Sequence, residues 1–343
     1  MNNREFFASN KYGMMCHWGL YSLLGGEWNG KIVGNYAEWI QAHFAIPNAQ
    51  YHKLASAFNP VFFNPDQWMK LAKDCGMTYF VVTSKHHDGF ALFHSKADKF
   101  NVVDSTPYKC DIIAQLAEAC YKHGIKLGLY YSQELDWAHP HGGGYTNPDP
   151  CDGVTWENSW DFPDKSKKDF GICFEEKIKP QVKEILSNYG DIFLIWFDTP
   201  HTISPKQSLE LNHLVKELQP DCLINSRIGN GDYDYVSLHD NEIPPEAPPE
   251  GLDKNSGDMN ALGGYKYSPY GLYETPATLN HSWGIKYSDQ DWKTPDQILE
   301  LKRHLNSKGV NYLLNIGPDS MGRIPVKSVD ALLGAARLEG RMM

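Results

Sequence analysis

Short apolar runs of strand length alternate with longer amphipathic stretches along nearly the whole chain. This alternation constrains the fold more than any other feature. An apolar run at residues 12–18 opens the series. Helices are expected around 66–75, 112–123, 175–188, 204–218 and 295–306, feeding strands at 78–84, 126–132, 192–197, 222–225 and 311–316. Residues 235–238 read as one more short strand, and residues 326–338 close the chain as a helix. Strands that alternate with helices imply βα units and a parallel sheet. The run 192–197 is apolar on both faces, as a strand covered by helices must be. Two architectures satisfy this pattern: a closed barrel and a doubly wound sheet. No G-x-G-x-x-G opens a helix after the first strand, and no G-x-x-x-x-G-K-[ST] is present, which disfavours a nucleotide-binding sheet. The expected fold is therefore an α/β barrel of the (β/α)8, TIM-like type, irregular units included. It occupies residues 1–343 as one domain.

The polar residues at the strand ends fit that expectation. His17 ends the first strand, His86, His87 and Asp88 follow the second, and Tyr130 and Ser132 end the third. Asp198 ends the fourth and Arg227 the fifth. In a barrel all these ends meet at one rim, where active sites are built. The Gly/Pro-rich segments 139–152 and 244–270 read as long rim loops, and 340–343 as a tail.

Composition narrows the partners. A net charge of −10 argues against nucleic acid or an anionic membrane. No run of about 18 apolar residues exists. The first ten residues are polar and lack a signal-peptide core, so a cytoplasmic protein is expected, or a secreted or periplasmic one if a leader has been removed. The 10 Trp, 19 Tyr and 15 Phe suit either sugar faces or a large core. Cys16, Cys75, Cys110, Cys120, Cys151, Cys173 and Cys222 form no CxxC pair and read as reduced thiols, mostly in the core.

Several residues can carry chemistry. Asp198 follows a strand too apolar to hold an unpaired charge; it reads as a loop or helix-capping acid, or as a nucleophile or general base. Glu242 lies on a neighbouring rim segment and can supply the second carboxyl that glycoside cleavage needs, with Asp240 and Glu274 as rivals. His86 and His87 suit a metal, but adjacent residues on an extended chain point to opposite sides. Neutral imidazoles also bond sugar hydroxyls through one donor and one acceptor each. His17 reads in the same two ways, and Glu38-Trp39 reads as a sugar contact or as core packing. Arg227 at a strand end needs an acidic partner.

Six motifs in order extend this reading: Met14-Met15-Cys16-His17-Trp18-Gly19, Tyr36-Ala37-Glu38-Trp39, Lys85-His86-His87-Asp88-Gly89-Phe90, Gly128-Leu129-Tyr130-Tyr131-Ser132, Trp196-Phe197-Asp198 and Asn311-Tyr312-Leu313-Leu314-Asn315-Ile316-Gly317-Pro318. Together they make the chain resemble the α-L-fucosidases of glycoside hydrolase family 29. The resemblance implies a barrel that releases terminal L-fucose from fucosylated glycans with retention, without cofactor or metal. It also implies Asp198 as nucleophile and His17, Glu38, Trp39, His86, His87, Tyr130, Trp196 and Arg227 around the fucose, with Trp283 near the sugar's methyl group. Glu242 is the best match for the acid/base, which requires a raised pKa there and a low one at Asp198. Many members continue into a C-terminal β-sandwich, which is not expected within these 343 residues. A metal-dependent barrel hydrolase and a non-catalytic sugar-binding barrel stand as alternatives.

Overall fold

A computed structural model describes residues 1–147, 153–256 and 258–341. Cys151, parts of the two long rim loops, and Met342 and Met343 lie outside the described residues. The main sheet has eight parallel strands: β1 (Tyr12–Cys16), β2 (Tyr79–Lys85), β3 (Lys126–Ser132), β4 (Leu194–Asp198), β5 (Leu223–Ile224), β6 (Val236–Ser237), β7 (Tyr273–Thr278) and β8 (Val310–Ile316). Their order is β5-β4-β3-β2-β1-β8-β7-β6. A parallel bridge between Asn225, just past β5, and Tyr235, just before β6, joins the two edges. The sheet thus curls into the (β/α)8-type barrel.

Alternation along the strands separates two apolar layers. Met15, Tyr79, Val81, Tyr130, Trp196 and Leu313 pack together inside the barrel. Met14, Phe80, Val82, Leu129, Ile195 and Leu314 face the helices. The short helix α1 (Asn3–Ser9) inserts Phe7 into the inner cluster, 4.8 Å from the Tyr235 ring.

Six longer helices follow: α2 (Pro65–Asp74), α3 (Ile112–His123), α4 (Lys179–Ser187), α5 (Pro205–Leu218), α6 (Pro295–Ser307) and α7 (Val326–Leu338). Their ends follow local chemistry. Asp111 caps α3, and Gly124 ends it at φ 70°, a left-handed conformation that glycine adopts without a Cβ penalty. Ser204 with Gln207, and Thr294 with Gln297, form capping boxes ahead of α5 and α6, each with Pro at the first helical position.

Three features depart from the sequence expectation. The helix expected over 175–188 is split into Phe170–Cys173, a π-turn Phe174–Ile178, and α4. Pro180 has no N–H to return to the preceding turn, which favours the wider i→i+5 pairing. Strand β7 was not anticipated, because Pro276 sits in its middle. Pro276 is tolerated because β6 pairs only with Tyr273 and Glu274, so β6 has already ended at its level. Finally, among the described residues no α-helix follows β5 or β6. A 3-10 turn, Ser226–Ile228, and the long segment 238–272 take their places.

Candidate active site

The strand ends do converge. One pocket is lined by His17 from β1, His86 and His87 after β2, Tyr130 from β3, Trp196 and Asp198 from β4, Arg227 after β5 and Asp240 after β6. Glu38, Trp39 and Trp283 complete its wall, with Met15, Tyr36, Trp156, Thr199, His239 and Leu262.

Asp198 is almost wholly buried and heavily bonded. Its Oδ1 accepts from the Thr199 amide at 3.0 Å and from Arg227 Nη1 at 3.1 Å. Its Oδ2 accepts from the Tyr130 hydroxyl at 2.8 Å, with His87 Nε2 at 3.9 Å. Thr199 holds φ 61°, a left-handed conformation that a β-branched residue adopts only at a cost of about 1–3 kcal/mol. That turn swings its N–H back onto the carboxylate. Burial raises the Asp198 pKa above the ordinary value, and nearby Asp240 adds to the rise; the Arg227 guanidinium opposes it. The low pKa expected from the sequence is therefore corrected: desolvation outweighs the single cation.

Arg227 is shared. Its Nη2 donates to Asp240 Oδ1 at 2.6 Å and to the Leu238 carbonyl at 3.0 Å, and its plane lies 4.6 Å from the Trp196 ring centre. One guanidinium thus bridges two carboxylates across the pocket. Glu242, by contrast, is absent from the pocket wall. Its Oε2 accepts from the His239 amide at 2.7 Å and the Gly264 amide at 2.9 Å. The cause is local: Asn241 sits at φ 57°, which breaks the extended chain and turns Glu242 towards the 262–264 segment. On this segment the acid that reaches the pocket wall is Asp240, two residues earlier. Glu274 also lies outside the wall, fully buried, where it accepts from Tyr79 Oη at 2.8 Å and Trp196 Nε1 at 3.1 Å.

The imidazoles are neutral. Burial lowers His17 to about 4 and pushes His86 and His87 well below the ordinary range. Two of their tautomers follow from the partners. The Ser132 hydroxyl donates to the Leu135 carbonyl at 2.9 Å, so at 2.7 Å it accepts from His87 Nδ1. Asn315 Nδ2 donates to the Trp283 carbonyl, which turns Asn315 Oδ1 towards His17 Nδ1 at 2.8 Å as an acceptor. Both rings therefore carry an acceptor at Nε2. Glu38 Oε2 accepts from the Gly284 amide at 2.8 Å, while burial raises its pKa to about 7. Glu38 Oε1, His86 Nδ1 and Arg227 Nε are buried without a partner among the described residues. Buried polar atoms are rarely left so, and at a pocket wall they suit a ligand rich in hydroxyls. Trp283 packs 4.9 Å from the His17 ring and Trp39 5.1 Å from that of His87, which gives the polar wall apolar flanks.

The family model described as alpha-L-fucosidase matches residues 1–337. The chain belongs to the α-L-fucosidase family. It is 56% identical to the unliganded α-L-fucosidase AlfC of Lactobacillus casei, covering 98% of both chains with a TM-score of 0.91. It is 33% identical to an α-L-fucosidase from Vibrio sp. strain EJY3, covering 98% of this chain and 55% of that one, TM-score 0.86. Among curated relatives, the putative α-L-fucosidase of Caenorhabditis elegans is 28% identical over 96% of this chain. The tissue α-L-fucosidase of Mus musculus is 27% identical over 93%. The chain spans about two thirds of the length of these relatives: 63% of the worm protein and 66% of the mouse one.

In this member of the fucosidase family, the sequence-selected residues His17, Glu38, Trp39, His86, His87, Tyr130, Trp196, Asp198, Arg227 and Trp283 all reach the pocket, and Glu242 does not. Sequence reasoning did not select Trp156, His239 or Leu262. They stand on rim loops without periodicity, so no local pattern marked them. Among the described residues no three His, Cys, Asp or Glu side chains are grouped so as to share one ion, the arrangement a metal-dependent hydrolase needs.

Proposed function

We propose that this chain is a retaining α-L-fucosidase that releases terminal L-fucose from fucosylated glycans, with Asp198 as nucleophile and Asp240 as acid/base. The observation that carries the reading is the Arg227 fork, which ties two carboxylates to one pocket lined by neutral imidazoles and indoles. Asp198 attacks the anomeric carbon as the acid gives its proton to the leaving oxygen, and water then opens the fucosyl–enzyme with the same acid acting as base. Of the two, Asp198 is fixed at the strand end by Tyr130, Thr199 and Arg227, the rigid placement a nucleophile needs. Asp240 is the more exposed of the two, at 22% against 13% for the side chain of Asp198. The Nε2 acceptors of His17 and His87 suit ring hydroxyls, and the Trp283 face suits the 6-methyl group.

Support for the substrate comes from relatives. One mutant of the α-L-fucosidase AlfC is known in complex with 4-nitrophenyl-α-L-fucopyranoside and with Fucα(1,6)GlcNAc. Hydrolysis of the aryl α-L-fucoside, with aryl β-D-galactoside and aryl β-D-glucoside as controls, tests the activity, and Fucα(1,6)GlcNAc is the first glycan to offer. Release of fucose from neither, at enzyme concentrations that bind deoxyfuconojirimycin, leaves the sugar-binding alternative standing.

A further inference from the structure

Strand β4 outruns its neighbours. Its pairing with β5 covers only Leu194 and Ile195, because β5 is two residues long. Beyond that point β4 still carries Trp196, Phe197 and Asp198, whose backbone groups need partners in a buried setting. Side chains supply them. Asn225, fully buried, accepts from the Phe197 amide at 2.9 Å and donates to the Phe197 carbonyl at 2.9 Å, taking the place of a strand residue. Gln133, also fully buried, accepts from the Asp198 amide through Oε1 at 2.6 Å. Its Nε2 donates to the Arg227 carbonyl at 2.8 Å. The next residue, Glu134, accepts from the His201, Thr202 and Ile203 amides, all through Oε2, and so ties down the loop that follows Asp198.

We propose that Gln133 is a positioning residue for the reaction: its side-chain amide fixes the backbone of Asp198 and that of Arg227 to each other, and so sets the carboxylate against the anomeric carbon. This rests on Asp198 being the nucleophile. Gln133 is not part of the pocket wall. It acts on the two residues whose side chains meet at 3.1 Å, from the main-chain side of both. With this amide removed, the Asp198 amide has lost its acceptor and the Arg227 carbonyl its donor. The pocket wall stays in place, but the angle of attack relaxes.

The test uses the full chain and two variants, Gln133→Met and Gln133→Glu. Gln133→Met keeps the volume and removes both hydrogen bonds. A misplacement of about 1 Å at a reacting atom costs on the order of 100-fold. The expected result is a kcat reduced roughly 10- to 100-fold, with KM and the calorimetric affinity for L-fucose within about three-fold of wild type. Gln133→Glu keeps the acceptor and adds a carboxylate beside the Asp198 and Arg227 main chain, next to Glu134. It should move the acid limb of kcat/KM to higher pH. If kcat and fucose affinity fall together, or if kcat per folded molecule is unchanged while melting temperature drops, the role is only structural and the proposal is overturned. If Gln133→Met does not fold, Gln133→Glu decides: a wild-type kcat with an unmoved acid limb overturns the proposal. Asp198→Ala in the same assay separates the two readings. Activity retained there removes the nucleophile assignment itself; activity lost there with wild-type Gln133 variants removes only this inference.

Discussion

Arg227 Nη2 donates to Asp240 Oδ1 at 2.6 Å while the neighbouring Nη1 holds Asp198 at 3.1 Å. Arg227 is the only cation in contact with Asp198 among the described residues, and burial works against it by raising the Asp198 pKa. If Asp198 must be ionised to react, kcat/KM falls as pH drops through a value above the ordinary aspartate 3.8. Arg227→Met takes away the opposing charge. Its acid limb is expected at higher pH than that of the wild type, and a limb unmoved or shifted down contradicts the role of Arg227.

The choice between Asp240 and Glu242 has a kinetic signature. Asp240→Ala should slow a phenyl α-L-fucoside far more than a 2,4-dinitrophenyl one, because only the poor leaving group needs a proton. Glu242→Ala should show no such dependence on leaving group, since its carboxylate serves the His239 and Gly264 amides. The opposite pattern across the two variants would return the role to Glu242.

Asp198→Ala should lower turnover by several orders of magnitude and keep the fold. Azide should restore part of the activity by entering the vacated face and yielding the β-fucosyl azide, detected by mass spectrometry and NMR. An α-configured azide product would mean that the fucosyl–enzyme still forms on another residue, and would remove Asp198 as the nucleophile.

His87→Ala and His17→Ala each remove an acceptor at Nε2. Losing one buried hydrogen bond costs about 1–3 kcal/mol, so fucose affinity should fall roughly ten-fold or more in calorimetry. Trp283→Ala should weaken L-fucose more than L-galactose, which carries a hydroxymethyl in place of the methyl. Equal losses for both sugars would remove the methyl-wall role from Trp283.

Glu274 gives a stability prediction. Burial raises its pKa from the ordinary 4.5 to about 7. A raised folded-state value means that the carboxyl's contribution is fully present below pH 4.5 and is lost as pH climbs through about 7. Glu274→Gln keeps an uncharged group there at every pH. The melting temperature of this variant relative to wild type should rise between pH 5 and pH 8; a difference that is flat or falls over that range refutes it.

Much of this architecture was legible because it is periodic. Helices at 112–123 and 326–338 and the strand at 126–132 have the limits expected from the sequence, since caps and alternation are local signals. Strand β7 was not legible, because Pro276 argues against a central strand unless the shortness of β6 is known. The pocket residues at strand ends were legible for the same reason as the strands. Asp240 and Glu242 were not separable, since the left-handed Asn241 between them decides which one turns inward. Gln133 was missed because its role is exerted on main-chain atoms that no sequence pattern announces.

The missing helices after β5 and β6 divide the labour of the site unevenly. Asp198 is embedded in a strand end, bound by Tyr130, Thr199 and Arg227 and backed by Gln133. Asp240 stands at the head of the 238–272 segment, whose links to the barrel include Leu238 to Glu274 and Asn241 to Thr278. A change of length or sequence further along that segment can reshape the space beside the scissile bond without disturbing a single barrel strand. A graft of this segment between family members would be expected to move aglycone preference while the fucose end of the site stays as it is.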